Sequence, residues 1–325
     1  MEKPNAFLRF DVVSDASDHY FLGKNNNGGN CFSNAKSGVY KSIMKQWKIL
    51  QQNLPESIYV RVYENNIDLM RAVIVGAAGT PYHNGLFFFD IAFPFDYPNH
   101  PPNVHYRSFG HRLNPNLYAD GKVCLSLLNT WSGKKCEKWD PSNSTILQVL
   151  LSIQGLVLNE RPLYNEPTLV FGTSNMSRAY NCQVFELTCR SSVYLLRSRP
   201  KYFQAFVVEH FRQRGLAMLS ACNEYVNGRV VGHYNHKDKK VPKQFMVDIK
   251  LVYGMLRHEL RRCGVSLGTV AEHLILEEVK KKSKSSETVA KEKKDGGILK
   301  RVAWKIKKVL GWKNSASKKI SMIEG

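Results

Sequence analysis

Apolar residues change their spacing several times along this chain, and each change marks an element. In SGVYKSIMKQWKILQQNLP, starting near Ser37, Val39, Ile43, Met44, Trp47 and Leu50 recur with helical period, while Lys41, Lys45 and Lys48 fall on the opposite face. Pro55 ends that helix, because its fixed φ and missing N–H cannot continue it. Three strand-like runs follow: SIYVRVY (57–63), LMRAVIV (69–75) and GLFFFDIAF (85–93). The short connectors between them predict an antiparallel meander. FPFDYPNHPPNVHY then interrupts regular structure with its prolines before a short fourth strand around Val104–Tyr106.

Beyond the segment LNPNLYADGKVCLSLL lies a polar insert, NTWSGKKCEKWD. STILQVLLSIQGLVL (144–158) is a helix apolar on most sides, with Ser142 or Ser144 to cap it, and is expected to lie under the sheet. From Met176 to about Leu276 amphipathic helical patterns recur, broken at Pro200, around Gly232 and at Pro242. The layout is α+β: an N-terminal helix, a four-stranded antiparallel meander, a central helix and C-terminal helices. It divides into a polar, Gly- and Asn-rich lead-in (1–36), a core (37–199), a helical extension (200–279) and a basic end (280–325).

Charge sharpens that division. The formal net charge is +20, but residues 280–325 hold 15 Lys+Arg against 4 Asp+Glu. A basic tail argues for nucleic acid more weakly than a basic fold would, so no specific nucleic-acid partner is expected. Within the tail, Ile298, Leu299, Val302, Ile306, Val309 and Leu310 share a helical face amid lysines and Arg301. Such a helix suits an acidic membrane surface, a calmodulin-like protein, or docking on its own chain. KKKSK (280–284) is the type of run that serves nuclear import. No stretch reaches membrane-spanning length, MEKPNAFLRF lacks the apolar run of a signal peptide, and the seven cysteines form no framework. Together these features predict reduced thiols in cytoplasm or nucleus, with peripheral membrane association through the tail as an added option.

Cys124 follows an Asn-Pro-Asn turn, eight residues after Asn116. Composition leaves it open whether this thiol is a small buried hydrophobe or a nucleophile. Histidine is not close in sequence, His111 being the nearest, but the Asn amide in a Pro-fixed turn is a donor suited to a developing oxyanion. Cys124 and Cys136 with His100, His105 and His111 lack CxxC or HxxxH spacing, so no metal is expected. GAAG at Gly76 reads as a turn rather than a phosphate loop.

PYHNGLFFFDIAFPFDYPNHPPNVHY, LNPNLYADGKVCLSLL and WDPSNSTILQVLLSIQGLVL resemble, in order and spacing, the core of the ubiquitin-conjugating enzymes, from about Ser37 to Thr168. The insert, the segment NERPLYNEP and the upstream FDVVSDASDHYF are more similar to the large plant and hybrid members with extended flanks. The resemblance implies that Cys124 holds the ubiquitin C-terminus as a thioester, received from the activating enzyme and passed to a substrate lysine. Asn116 would then stabilise the oxyanion, shape the loop, or both, and Glu166 would orient and help deprotonate the lysine. It implies no cofactor, since ATP is used by the activating enzyme. Lys41, Lys45 and Lys48 match the docking face for that enzyme. Pro98, Asn99, Pro101, Trp139 and Pro141 match the ligase-binding edge.

Departures from the pattern are Asn114 for the usual histidine, Leu113 for the usual tyrosine, Ser126 for the usual aspartate, and Asn99 for a bulky ligase contact. The last favours substrate selection by the chain's own extensions over ordinary ligase partnership. The alternatives are a catalytically inactive ubiquitin-binding variant and a membrane-associated adaptor. The intact set of Cys124, Asn116 and Glu166 argues against the first, and the second leaves the motif-dense core unexplained.

Overall fold

The helix that opens the core starts where its side chains dictate. In the computed structural model, which describes residues 7–24, 31–169, 172–232 and 241–265, Ser37 accepts a hydrogen bond from the Tyr40 amide (3.0 Å) and caps α1 (Gly38–Asn53). The amphipathic tail, the 280–297 linker and KKKSK lie outside the described residues. Ile43, Gln46 and Leu50 are buried, and Lys41, Lys45 and Lys48 face solvent. The buried Gln46 Oε1 accepts the Ile146 amide at 3.0 Å, pinning α1 to the start of the central helix.

The sheet has five strands rather than four: β1 (Phe10–Val13), β2 (Ile58–Tyr63), β3 (Asn66–Val75), β4 (Leu86–Ala92) and β5 (Asn103–Tyr106), in that spatial order. The β2–β5 meander is antiparallel, as its short connectors predict. β1 is the addition. It pairs parallel to β2 with Phe10 opposite Val60, so part of the 1–36 lead-in belongs to the sheet. FDVV escapes pattern reading because four residues set in a polar stretch carry no period, and their pairing is fixed by a distant strand.

Alternation along the strands sends side chains to two buried faces. On one, Val73, Leu86 and Phe88 pack against α3 (Ser174–Arg197), α4 (Gln204–Val226) and α5 (Lys243–Arg262) through Phe185, Phe203 and Phe206. These helices break at Pro200 and Pro242 as the sequence requires. On the same face Arg71, only 1% exposed, is clamped by both Asp90 carboxylate oxygens (2.6 and 2.9 Å) and by Asp18 (2.8 Å). Asp18 belongs to the N-terminal segment, which thereby lies across the sheet. Lys201 and Tyr202, between α3 and α4, hold the same segment through Asp15.

The central helix α2 (Ile146–Ser152) runs on into a single wide turn, Ile153–Val157. Its cap is Thr145, reciprocated by Gln148, rather than Ser142 or Ser144. Ser144 is occupied, its hydroxyl accepting the Asp140 amide at 2.9 Å. Ile146, Val149, Leu150, Ile153 and Val157 are buried, but Leu151 and Leu156 are 43% and 64% exposed. The helix is therefore covered on one side only. No helix among the described residues is long and apolar enough to cross a membrane.

Candidate active site

Cys124 sits on a short extended stretch laid against the Asn-Pro-Asn turn, through bridges from Leu117 to Val123 and from His105 to Lys122. The hairpin between them turns at Gly121, whose φ of +90° and closeness to the His105 ring, 2.0 Å from where a Cβ would stand, admit glycine alone. Across the hairpin two bonds lock the pair in question: the Cys124 amide donates to the Asn116 carbonyl (2.9 Å), and Asn116 Nδ2 donates to the Cys124 carbonyl (3.0 Å). Asn116 is thus the shaper of this loop. Its buried Oδ1 has no hydrogen-bond partner among the described residues.

Asn114 is fully buried and uses its amide completely. Nδ2 donates to the Tyr82 hydroxyl (2.6 Å) and to the Val157 carbonyl (2.7 Å), while Oδ1 accepts the Asn116 amide (2.8 Å) and, more distantly, Asn165 Nδ2 (3.4 Å). One side chain therefore ties the turn to the end of the central helix and to the loop that carries Glu166. Asn165 is fixed in turn by Asn159 Nδ2 (2.6 Å) and by the Val157 carbonyl (3.1 Å). Glu166, its neighbour, is half-buried, and its Oε1 accepts the Thr168 hydroxyl at 3.4 Å.

Burial pushes the Cys124 thiol above its ordinary pKa, the thiol lying in a residue only 2% exposed. Lys122, a hydrogen bond from the Tyr118 side chain and the Arg112 charge all pull the other way without overcoming it, and Asp120 adds to the rise. Sequence reading missed both Tyr118 and Arg112. The buried Arg112 guanidinium lies 4.0 Å from the Tyr118 ring centroid and donates to the Pro115 carbonyl at 3.0 Å, so the two brace the turn from within. Tyr118 stands inside the quoted motif, but only the folded hairpin shows that its side chain turns back to the cysteine.

The insert is anchored where the Cys124 stretch ends. Thr130 Oγ1 donates to the Val123 carbonyl (2.8 Å) and accepts the Leu125 amide (3.0 Å), and Ser126 donates to the Ser132 carbonyl (2.9 Å). Ser126, standing where an aspartate was expected, thus holds the insert. Lys134, Lys135 and Lys138 project from it into solvent. At the opposite edge Trp139 Nε1 donates to the Pro98 carbonyl (2.7 Å), uniting two of the residues assigned to a ligase surface. Asn99 and Pro141 are exposed there, Pro98 and Pro101 half-buried, and Phe95 is 58% exposed on the same loop. Among the described residues no cluster of three or more His, Cys, Asp or Glu is gathered for a metal.

Comparison with known proteins is consistent along most of the described chain. A family model described as ubiquitin-conjugating enzyme matches residues 42–185. The chain is 50% identical over 231 residues to the putative ubiquitin-conjugating enzyme E2 38 of Arabidopsis thaliana, covering 70% of each protein. It is 50% identical over 232 residues to the probable ubiquitin-conjugating enzyme E2 23 of the same plant, there spanning only 21% of that protein's length. It is 36% identical over 244 residues to the dual E2 ubiquitin-conjugating enzyme/E3 ubiquitin-protein ligase BIRC6 of Homo sapiens, spanning 5% of it.

Proposed function

The chain belongs to the ubiquitin-conjugating enzyme family, and from that premise we propose that Cys124 accepts ubiquitin as a thioester from the activating enzyme and passes it to a substrate lysine. The observation that carries this reading is the double lock between Cys124 and Asn116, continued through Asn114 to Asn165 beside Glu166. It holds a thiol, an amide donor and a carboxylate-bearing loop in one hydrogen-bonded unit.

The chemistry assigned to each group follows from what it offers. Cys124, as thiolate, attacks the carbonyl carbon of the incoming thioester; a new C–S bond forms and the activating enzyme's thiolate leaves. The exchange is nearly isoenergetic, because one thioester replaces another, so a thiol with a raised pKa still reaches it through its small thiolate fraction. Asn116 Nδ2 uses one hydrogen on the Cys124 carbonyl and has a second to offer the oxyanion. In the second step the lysine amine attacks, the C–S bond breaks and Cys124 thiolate is regenerated. Glu166 takes the proton that the amine must lose, which matters because a free lysine is protonated up to a pKa of about 10.4.

Lys41, Lys45 and Lys48 are assigned to docking of the activating enzyme, and the Pro98–Trp139 edge to a ligase. ATP is consumed by the activating enzyme alone. Asn99, together with the insert and the N-terminal segment, supports substrate selection by the chain itself.

The test is a charging reaction with ubiquitin, activating enzyme and ATP, run on a non-reducing gel. We expect an adduct one ubiquitin heavier that thiols remove. Cys124→Ser should leave a reductant-resistant ester and Cys124→Ala no adduct. An adduct that persists in Cys124→Ala refutes the site, and a folded chain that never charges favours the inactive ubiquitin-binding reading.

A further inference from the structure

A cleft of about 380 Å3 opens beside the Cys124 stretch. Lys122 and Val123, immediately before the cysteine, form part of its lining; Val104 and His105 come from β5, Thr130 from the insert, and Tyr20 from the N-terminal segment. The volume is in the range of sites that seat a few side chains. Tyr20 is firmly set. Its ring stacks on His105 with centroids 3.4 Å apart, and its amide donates to Asp90 at 2.8 Å. It also lies outside residues 42–185, the part that matches the family model, so this wall is supplied by the chain's own extension.

Lysines outnumber the carboxylates of the cleft and the insert. Lys122 lines it, Lys24 stands 3.3 Å from the Tyr20 ring centroid, and the insert that leaves the cleft at Thr130 carries Lys134, Lys135 and Lys138. None of these lysines is in an ion pair among the described residues. The opposing acids are few. Asp120 lines the cleft, Glu137 spends an oxygen on the Lys134 amide (3.0 Å), and Asp140 is taken up by Ser142 and Asn143. Asp90 is committed to Arg71.

We propose that the cleft and the insert together dock an acidic segment of the protein substrate, flanking the lysine that receives ubiquitin. This rests on the reading of Cys124 as the thioester-bearing residue. An apolar side chain of the segment enters between Val104 and Leu128, and its carboxylates meet the unpaired lysines. Single exposed pairs contribute little, but several acting together set partner choice and speed encounter, and salt weakens them.

The binding test uses the full, uncharged chain and two fluorescent peptides of equal length around one lysine, one flanked by Asp and Glu, the other by Lys and Arg. Anisotropy should show the acidic peptide bound about tenfold tighter, the difference shrinking at about 0.5 M salt. The triple variant Lys134→Glu, Lys135→Glu, Lys138→Glu should abolish the preference, and Asn103→Trp, which fills the cleft, should weaken binding with no change in charge.

Equal affinities overturn the proposal. So does a preference that survives the triple variant but disappears when Lys305, Lys307 and Lys308 in the tail are changed to Glu. Tighter binding of a short RNA that displaces the acidic peptide also overturns it, by giving the surface to nucleic acid. With the charged protein, the ratio of discharge onto acidic and basic peptides should follow the same order. If the chain never charges, the thioester reading fails on its own and the anisotropy still decides the docking site.

Discussion

Asn114→Ala removes the side chain on which most of the candidate site hangs, and its cost can be worked bond by bond. The Asn116 amide, now bonded to Asn114 Oδ1 at 2.8 Å, loses its acceptor inside a buried turn. The Tyr82 hydroxyl, wholly buried, loses the 2.6 Å donor that satisfies it. The Val157 carbonyl is spared, because Asn165 Nδ2 still reaches it at 3.1 Å. Two buried groups left unsatisfied at about 1–3 kcal/mol each give a loss of about 3 kcal/mol. With a urea slope of about 3 kcal/mol per molar, the unfolding midpoint should fall by about 1 M. Asn114→His, which restores the usual residue, should also destabilise, by about 1–2 kcal/mol. A neutral imidazole has one donor and one acceptor, and cannot serve Tyr82, Val157 and Asn116 together. Equilibrium urea unfolding followed by tryptophan fluorescence measures both. A midpoint for Asn114→Ala within about 0.2 M of wild type, or a stabilised Asn114→His, would refute the claim that this amide is the site's structural anchor.

Other consequences are more local. Lys122 lowers the pKa of the Cys124 thiol, so Lys122→Met should move the pH midpoint of Cys124 alkylation upward; an unmoved midpoint removes Lys122 from the electrostatics of the site. Burial, aided by the Arg229 charge, lowers the folded-state pKa of His83 from 6.5 to about 4, so the unfolded chain binds the extra proton first as pH falls. Its contribution is full above the unfolded value and is lost between pH 6.5 and 4, by about 2–3 kcal/mol near the lower end, and His83→Gln should flatten the stability profile by about that amount. Arg71→Met leaves Asp18 and Asp90 facing one another without their cation, and should cost about 3–5 kcal/mol in unfolding free energy. Adding Asp18→Asn should recover part of that loss, and no recovery would show that the ion cluster is not what binds the N-terminal segment to the sheet.

What the sequence made legible follows from how local each signal is. Ser37 and the Lys41–Lys45–Lys48 stripe fix α1 from within a few residues, and Pro200 and Pro242 place the helix breaks for the same reason. The fifth strand was not legible, because β1 owes its existence to Val60 and its neighbours some fifty residues away. The cap of the central helix is Thr145 rather than Ser142 or Ser144; Ser144 has the right chemistry, but the Asp140 turn claims its hydroxyl. The spacing of Asn116 and Cys124 was visible, whereas the direction of the amide was not. A spacing cannot say that Nδ2 bonds the cysteine's own carbonyl. Tyr118 and Arg112 lay unread for a similar reason. Each acts through a ring and a cation brought face to face by a hairpin that closes at Gly121.

The replacement of the expected histidine by Asn114 makes physical sense only with the loop that follows the central helix. That loop, NERPLYNEP, holds itself closed when Asn159 donates to Asn165, and Asn165 then offers its own amide toward Asn114 and the Val157 carbonyl. An amide at position 114 can meet an amide at 165, while still donating twice and accepting the turn's N–H. The three asparagines form one relay from Asn159 to the Asn-Pro-Asn turn, and Glu166 is carried by its middle member. Asn114 and the long loop are therefore two halves of one hydrogen-bonded support that ties the loop carrying Glu166 to the Asn-Pro-Asn turn. It follows that the pair Asn114 and Asn165 should behave non-additively. Once Asn165→Ala has removed the second donor to the Val157 carbonyl, Asn114→His should cost more than it does alone, because the carbonyl that Asn165 otherwise spares is then left unsatisfied.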